Sequence, residues 1–595
     1  MVFQDFDQIS ERRRLERKQK FRKRVTIVVV SLFALLIIIA AGVFAIISSN
    51  NHKQNQKNEP SKSSESAKPE SSQASGIQSI IQSVCNATTY KDACHSSLKK
   101  AVEDQPSSSA QPKDILKLAI KSTNDELSKV FEKAKTLKFD SPREKAAFED
   151  CTELIGDAKE ELEKSVFGAG GKMEELVKNE GDLNNWLSAV MSYQQTCIDG
   201  FPEGKLKSDM EKMFNSSKEL TSNSLAMVSE LSGFYSNFQI SKPGRRLLSE
   251  ESGGSRLDED GIPEWMGQEE RRILKGADKD KPTPNVTVAK DGSGQFNTIS
   301  AALAAMPAKY EGRYVIYVKE GVYDETVMVT KKMVNVTIYG DGSQKSIVTG
   351  NKNFADGVQT FRTATFAALG DGFLAKAMGF RNTAGPEKHQ AVAIRVQADR
   401  SVFLNCRFEG YQDTLYAQTH RQFYRSCVVS GTIDFIFGDA AAIFQNCQIF
   451  VRKPMENQQT IVTAQGRVDS HETTGIVLQN CHIQPDKDLI PTKMTVKNYL
   501  GRPWKDYSRT IIMETIIEDF IHPEGWLAWE GEKGLKTLYY AEFNNKGAGS
   551  KTNGRVKWAG YHVIGKEVAN KFTVMPFLQG DWITAVGAPV HFGLN

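Results

Sequence analysis

The sequence predicts a right-handed parallel β-helix in its C-terminal half, an all-α helical bundle before it, and a transmembrane or signal-anchor helix near the N-terminus. Three observations carry this. Four short apolar segments repeat around a cysteine: Phe403-Leu-Asn-Cys-Arg-Phe408, Tyr424-Arg-Ser-Cys-Val-Val429, Phe444-Gln-Asn-Cys-Gln-Ile449 and Leu478-Gln-Asn-Cys-His-Ile483, with the cysteines stepping by 21, 20 and 34 residues. A period near 20 with several short strands per period suits stacked coils, whereas a propeller blade needs ~40 residues. Earlier in the chain the apolar spacing is helical, as in Leu127, Val130, Phe131, Ala134 and Leu137, which is the stripe of an amphipathic helix. Earlier still, residues 25–47 form an apolar run without a charge.

Taken in order, residues 1–24 are a basic cytosolic segment carrying nine Lys/Arg against four Asp/Glu. The run 25–47 is long enough to span a bilayer, for which about 20 apolar residues suffice, and the preceding cations hold the N-terminus in the cytosol. A signal anchor is favoured over a cleaved signal peptide, whose apolar region is usually only ~7 to 15 residues. Either sends the remainder into the secretory pathway. Residues 48–76 are Ser, Lys, Gln, Asn and Glu with almost nothing apolar, a composition that cannot offset the entropy of ordering and reads as a disordered linker.

Residues 77–240 read as the helical bundle, with further stripes at Phe148, Cys151, Leu154, Ile155, Ala158 and Leu162 and at Leu183, Trp186, Leu187, Val190 and Cys197. Eight cysteines in an oxidising compartment can form disulfides. Cys151 could join Cys197 across two buried helix faces, Cys85 and Cys94 could close a short turn, and Cys427 and Cys447, one period apart, are candidate partners; Cys406 and Cys481 fit as buried thiols. Residues 241–284 return to Gly, Ser, Pro and charge. They contain Arg245-Arg246-Leu247-Leu248 and Arg271-Arg272-Ile273-Leu274, dibasic tetrapeptides in an exposed segment where proteases cut. From residue 285 to 595 the texture is short β-rich runs between Gly, Asp and Asn turns, with Thr298 to Met306 as a lone short capping helix. Sequons at Asn86, Asn215, Asn285 and Asn335 suit the secretory route.

The net charge of +4 divides unevenly: residues 25–284 hold 33 basic and 39 acidic side chains, residues 285–595 hold 34 and 29. The excess in the second region is too small to indicate nucleic acid, and no nucleic-acid motif accompanies it. No Gly-x-Ser-x-Gly elbow is present, and His471-Glu-Thr-Thr-Gly475 lacks the second histidine of a zinc site, so neither a metal nor a cofactor is expected.

Chemistry gathers on two aspartates. Asp413 in Gly-Tyr-Gln-Asp-Thr-Leu and Asp434 in Gly-Thr-Ile-Asp-Phe-Ile-Phe-Gly are 21 residues apart, so on adjacent coils their backbones lie one strand spacing apart, ~4.8 Å. Neighbouring carboxyls can split their affinities for the proton, one ionised and one protonated. That spacing also describes retaining glycosidases. Gln412, beside Asp413, and Gln390, 22 residues earlier, can donate hydrogen bonds to an oxyanion, which an ester-hydrolysis intermediate needs and an oxocarbenium-like state does not. Arg502 and Trp504 in Leu-Gly-Arg-Pro-Trp add a fork for a carboxylate and a flat ring for a sugar face.

These three blocks, in this order and spacing, resemble the signature of plant pectin methylesterases from about residue 285 to the C-terminus. The helical region with Cys85, Cys94, Cys151 and Cys197 resembles the pectin methylesterase inhibitor domain that precedes the enzyme in longer plant precursors. The two Arg-Arg tetrapeptides resemble processing sites for subtilisin-like proteases. The resemblance implies hydrolysis of methyl esters of homogalacturonan to pectate and methanol, with Asp434 as nucleophile, Asp413 as proton donor and then base, Gln412 stabilising the oxyanion, and Thr360, Gln390, Arg502 and Trp504 contacting substrate. It further implies an inhibitory pro-region removed by proteolysis, separate inhibitor proteins as further partners, and a mature monomeric enzyme in the extracellular cell wall. A pectin-cleaving glycosidase and a catalytically silent wall-binding protein are the alternatives.

Overall fold

The computed structural model describes residues 71–104, 112–171, 173–230 and 282–595. The basic segment 1–24, the apolar run 25–47, most of the linker 48–76 and the tetrapeptides at 245–248 and 271–274 lie outside them. Among the described residues no helix is long and apolar enough to cross a membrane. Residues Ser72–Asn595 form one compact unit.

Seven helices among the described residues make the bundle: α1 (Ser71–Asn86), α2 (Lys91–Asp104), α3 (Pro112–Ala134), α4 (Pro142–Gly168), α5 (Met173–Lys178), α6 (Glu180–Asp199) and α7 (Lys205–Ser229). The first begins at Ser71, inside the stretch read as linker. The start of α4 is written locally: Pro142 opens it, Glu144 N donates to Ser141 Oγ at 3.2 Å, and Ser141 N donates to Glu144 Oε2 at 2.9 Å. This reciprocal pair satisfies N–H groups that a helix start leaves unpartnered. The stripes of α4 and α6 are buried as their spacing predicts, through Cys151, Leu154, Ile155, Ala158 and Leu162 and through Leu183, Leu187, Val190 and Cys197. Disulfides Cys85–Cys94 and Cys151–Cys197 tie α1 to α2 and α4 to α6.

From Val286 onward, parallel strands stack into three sheets of eleven, eight and seven strands, and a complete coil in the middle of the stack supplies one strand to each sheet. One such coil is Ser401–Leu404, Arg407–Glu409 and Leu415–Ala417. The seven-stranded sheet consists, in both chain and spatial order, of β1 (Val327–Val329), β2 (Phe366–Ala368), β3 (Ile394–Val396), β4 (Leu415–Ala417), β5 (Ile436–Gly438), β6 (Thr460–Gln465) and β7 (Asn498–Gly501).

The cysteine repeat is explained by one corner of the coil. Asn405, Ser426, Asn446 and Asn480 all turn through the left-handed region, with φ of 52°, 51°, 57° and 52°. Asn tolerates that conformation better than most residues. The following cysteine points into the core, beside a stack in which Tyr424 lies 4.8 Å from Phe403 and 4.3 Å from Phe444.

Cys427 and Cys447 are not bonded to each other, contrary to the pairing expected from their spacing; with Cys406 and Cys481 they are buried free thiols. Register is the reason. In-register parallel neighbours hold their Cβ atoms side by side and pointing the same way, while a disulfide needs a torsion near 90° between them. Each thiol instead donates to a carbonyl of the preceding coil, Cys427 Sγ to Phe403 O at 3.4 Å and Cys447 Sγ to Tyr424 O at 3.6 Å.

The capping helix α8 spans Ile299–Ala304, with Ala301 N donating to Thr298 Oγ1. Three further five-residue helices, Lys566–Asn570, Val574–Leu578 and Asp581–Ala585, were not read from sequence. They bury Ala569, Val574, Leu578 and Ile583 against the outer face of the eleven-stranded sheet. One turn and a half is too short to show a helical period.

Candidate active site

The register of the seven-stranded sheet fixes the pair of carboxyls. Leu415 of β4 pairs with Ile436 of β5, so Asp413 and Asp434, each two residues before, hold equivalent positions on adjacent coils. Asp413 N donates to Ile433 O at 3.0 Å, which continues the pairing into the turn. Both aspartates are left-handed, with φ of 62° and 51°. That conformation costs a non-glycine residue ~1 to 2 kcal/mol and is typical of functional turns. Here it accompanies two carboxyls held together at the mouth of the coil.

Arg502, just past β7, binds Asp434 with its whole fork: Nε donates to Oδ1 at 2.8 Å and Nη2 to Oδ2 at 2.5 Å. Its outer face is covered by Trp529, whose ring centroid lies 4.2 Å from Cζ. Both carboxyls are buried, and burial pushes both above the ordinary carboxylate range. For Asp434 the guanidinium opposes that rise. Asp413 goes much further, because the charge of Asp434 adds to burial and Arg502 only partly offsets them. Of the two, Asp413 therefore holds a proton more tightly.

Thr360, Gln390, Gln412, Asp413, Asp434, Arg502 and Trp504 all line one cavity of about 490 Å³. Gln412 follows the sheet register of Ala391, whose N–H donates to its carbonyl at 3.2 Å, so Gln390 stands one residue off the position opposite Gln412. The aromatic wall is Tyr416 stacked on Phe437 at 4.3 Å, with Trp504 edge-on to Phe437 at 6.0 Å. Gly466 makes room for Trp504: a Cβ there would stand 2.8 Å from the indole Cε3. Trp529, Tyr416 and Phe437 were missed in the sequence, where single aromatic residues look like core. The only signal was Gly525-Trp-Leu-Ala-Trp529, two tryptophans next to a glycine turn. Among the described residues no group of His, Cys, Asp and Glu is arranged to hold a metal ion.

The same cavity is also lined by Arg143, Asp150 and Leu154 near the start of α4 and by Thr196, Asp199, Phe201 and Pro202 at the end of α6. The bundle thus lies across the carboxyls. Arg362 binds Asp150 at 2.6 Å and Glu153 at 2.5 Å, Lys505 binds Asp199 at 2.6 Å, and Lys331 meets Asp157 at 3.0 Å and Glu160 at 3.2 Å. Phe361, Val392, Tyr416 and Phe437 of the β-helix join the apolar core of the bundle.

Comparison with known proteins agrees with this geometry. Residues 285–581 match the pectinesterase family model, and residues 79–227 match the model of the plant invertase/pectin methylesterase inhibitor. A putative pectinesterase/pectinesterase inhibitor 45 of Arabidopsis thaliana is 54% identical, covering 100% of both chains. The chain belongs to the pectinesterase family. Pectinesterase 3 of Citrus sinensis is 42% identical over 87% of this chain and 88% of its own. The solved pectin methylesterase from carrot is 48% identical and superposes with a TM-score of 0.52, covering 53% of this chain and 99% of its own. The chain is thus a pectin methylesterase preceded by an inhibitor-like helical pro-region.

Proposed function

We propose that the pair works as an unequal acid and nucleophile on methyl-esterified homogalacturonan. Asp434, oriented by Arg502, attacks the ester carbonyl, and the electron pair moves onto the carbonyl oxygen, which Gln412 and Gln390 stabilise by donating hydrogen bonds. Collapse of this intermediate breaks the bond to the methoxy group, and Asp413 delivers its proton to the departing methanol. The now ionised Asp413 takes a proton from water, the resulting hydroxide attacks the acyl-enzyme, and Asp434 leaves as carboxylate. Thr360 and Trp504 would border the sugar chain. The observation that carries this reading is the asymmetry of the pair: Arg502 gives both hydrogen bonds to Asp434, and Asp413 is raised further by burial and by its neighbour.

The pro-region supports a second part of the proposal. Its acidic face closes the cleft until the chain is cut near 245–248 or 271–274 by a subtilisin-like protease. The precursor travels the secretory pathway with residues 25–47 as its anchor, and the freed monomer works in the cell wall, where separate inhibitor proteins meet the same cleft. The four sequon asparagines Asn86, Asn215, Asn285 and Asn335 are exposed, as glycan carriers must be.

The test is methanol release from methylated pectin by the processed enzyme. Asp434→Ala is expected to lower it more than a thousandfold, without any shortening of the polymer by the native enzyme. Full activity of the variant would overturn the assignment of nucleophile, and new reducing ends from the native enzyme would favour the glycosidase.

A further inference from the structure

Two buried acids outside the cavity take no part in the proposed reaction. Asp439 follows β5 and Glu472 stands in the turn that leaves β6, and they are 5% and 1% exposed. Neither lines the cavity that holds Asp413 and Asp434. One oxygen of each is tied down by donors of its own domain. Asp439 Oδ1 accepts from Gln465 Nε2 at 3.1 Å and from Thr474 Oγ1 at 2.6 Å, and Glu472 Oε1 accepts from the N–H groups of Val468 at 2.9 Å and Asp469 at 2.7 Å. The other two oxygens, Asp439 Oδ2 and Glu472 Oε2, are buried and receive no N–H or hydroxyl among the described residues; the two side chains share a hydrogen bond. Two carboxyls can make such a bond only if one of them carries a proton.

The surroundings favour that proton. Burial raises both carboxyls above the ordinary range, and Glu472 goes much further, because the charges of Asp439 and Asp469 add to burial and Arg467 offsets only part of the rise. Glu472 is therefore the donor and Asp439 the acceptor. Arg509 on the following coil and Lys218 of α7 add positive charge near the pair. Of all these groups only Lys218 belongs to the pro-region, so the mutual repulsion of the two acids outlasts its departure.

The turn closed by this pair seats one ring of the cavity. Gly466 N donates to Gly438 O at 2.8 Å, directly before Asp439, and Gly466 leaves the space for Trp504, whose indole Cε3 a Cβ would meet at 2.8 Å. Trp504 lies on a segment pinned to the same stretch of chain at both ends, by Arg502 N to Thr463 O at 3.0 Å and by Tyr507 N to Arg467 O at 3.2 Å. The first pin is fixed by the pairing of β6 with β7. The second lies inside the turn. Were both acids ionised, like charges would face each other in a buried turn, and the seat of Trp504 would open on that side.

We infer that Asp439 and Glu472 are positioning residues, a proton-sharing pair that closes the turn 466–474 and through it sets Trp504 against the substrate. This rests on the reading that Trp504 borders the sugar chain. Loss of the shared proton as pH rises then raises KM, whereas ionisation of Asp413 lowers kcat.

The test reads kcat and KM separately for methanol release by the processed enzyme, from acid to alkaline pH. The native KM is expected to rise on the alkaline side. Glu472→Ala leaves Asp439 Oδ2 without a donor and should raise KM about tenfold at every pH, the size of one lost hydrogen bond to a charged group, with kcat within about twofold. Glu472→Gln puts a permanent donor in place of the acid, and Asp439→Asn donates in the reverse direction to an ionised Glu472. Each should keep the native KM at low pH and abolish the alkaline rise. A native KM without the rise, or a rise that persists in both conservative variants, overturns the inference. Should Glu472→Ala fail to fold, the conservative variants decide alone. Trp504→Ala separates the premise from the pair: an unchanged KM there refutes the reading of Trp504 itself, and a raised KM there with a native KM in Glu472→Ala refutes the pair alone.

Discussion

Two buried groups at the contact between pro-region and catalytic domain titrate in opposite directions, and removing one should expose the other. Glu161 of α4 is 1% exposed, with Oε1 3.0 Å from Lys164, 3.8 Å from Lys331 and 3.7 Å from His420 Nε2. Burial raises it to about 7 against the charges of Lys164 and Lys331. His420, past β4, faces Asn185 at 3.1 Å and Tyr193 at 3.4 Å on α6, and burial lowers it to about 3 despite the nearby Asp399. Raising a carboxyl from its ordinary 4.5 to about 7 weakens docking by ~3 kcal/mol above pH 7 and not at all below pH 4.5, where the group is protonated whether docked or free. Lowering a histidine from 6.5 to about 3 has no effect above pH 6.5 and weakens docking by ~1.4 kcal/mol per pH unit below it. Between pH 4.5 and 6.5 the two slopes are equal and opposite, so this pair should add almost no net pH dependence to docking. Glu161→Gln leaves the histidine unopposed within the pair, and relative to the native contact docking should weaken roughly fifty-fold from pH 6.5 to 4.5. His420→Asn leaves Glu161 unopposed within the pair, and relative to the native contact docking should weaken by a similar factor as pH rises from 4.5 to 7. The assay is the dissociation constant between the halves of a chain cut in the 241–284 segment, measured by calorimetry across this range. Two variants with the same pH profile as the native contact would refute the reasoning.

Other consequences concern the site and its supports. Arg502→Gln removes the group that opposes the rise of Asp434, so the acid limb of kcat/KM should move to higher pH toward the limb set by Asp413. The bell narrows, and activity at its maximum falls about a hundredfold, as for loss of an electrostatic stabiliser. Gly466→Ala pushes a Cβ against Trp504, and its overpacking of ~1 to 3 kcal/mol should appear as a raised KM with a lower Tm. Cys151→Ala opens a loop of sequence separation 46, for which chain entropy predicts a loss of about 4 kcal/mol in the bundle, read by calorimetry. Alkylation in denaturant without reductant should label the four thiols of the β-helix and leave the other four cysteines unmodified.

What could be read in advance was whatever repeats. The cysteine period locates the coils, and the equal spacing of Asp413 and Asp434 places them opposite each other because a coil of fixed length returns the chain to the same register. The helical stripes of α4 and α6 were legible for the same reason, since a 3.6-residue period shows over twenty residues and is lost over five. Direction was harder to read than position. Cys427 and Cys447 are adjacent as their period requires, but parallel stacking points both into the core, and spacing alone carries no information about that. Trp529 was invisible because it reaches Arg502 from a loop outside the repeat. The charge imbalance between the two regions was visible as a total. Which acid meets which base depends on how two folded surfaces match, and no local pattern encodes it.

The order of the two cavity carboxyls, Asp413 and Asp434, should outlast removal of the pro-region. Part of their burial comes from the bundle across the cavity, so its departure readmits water and lowers both toward the ordinary range. The remaining causes belong to the catalytic domain. Asp434 keeps the fork of Arg502, which favours its ionised form, and Asp413 keeps the charge of Asp434, which favours its protonated form. Unmasking therefore moves the working range of the pair to lower pH without exchanging the roles. A regulator that covers such a site can block it sterically and still leave its chemistry correctly set for release, because the asymmetry is built from groups the regulator does not supply.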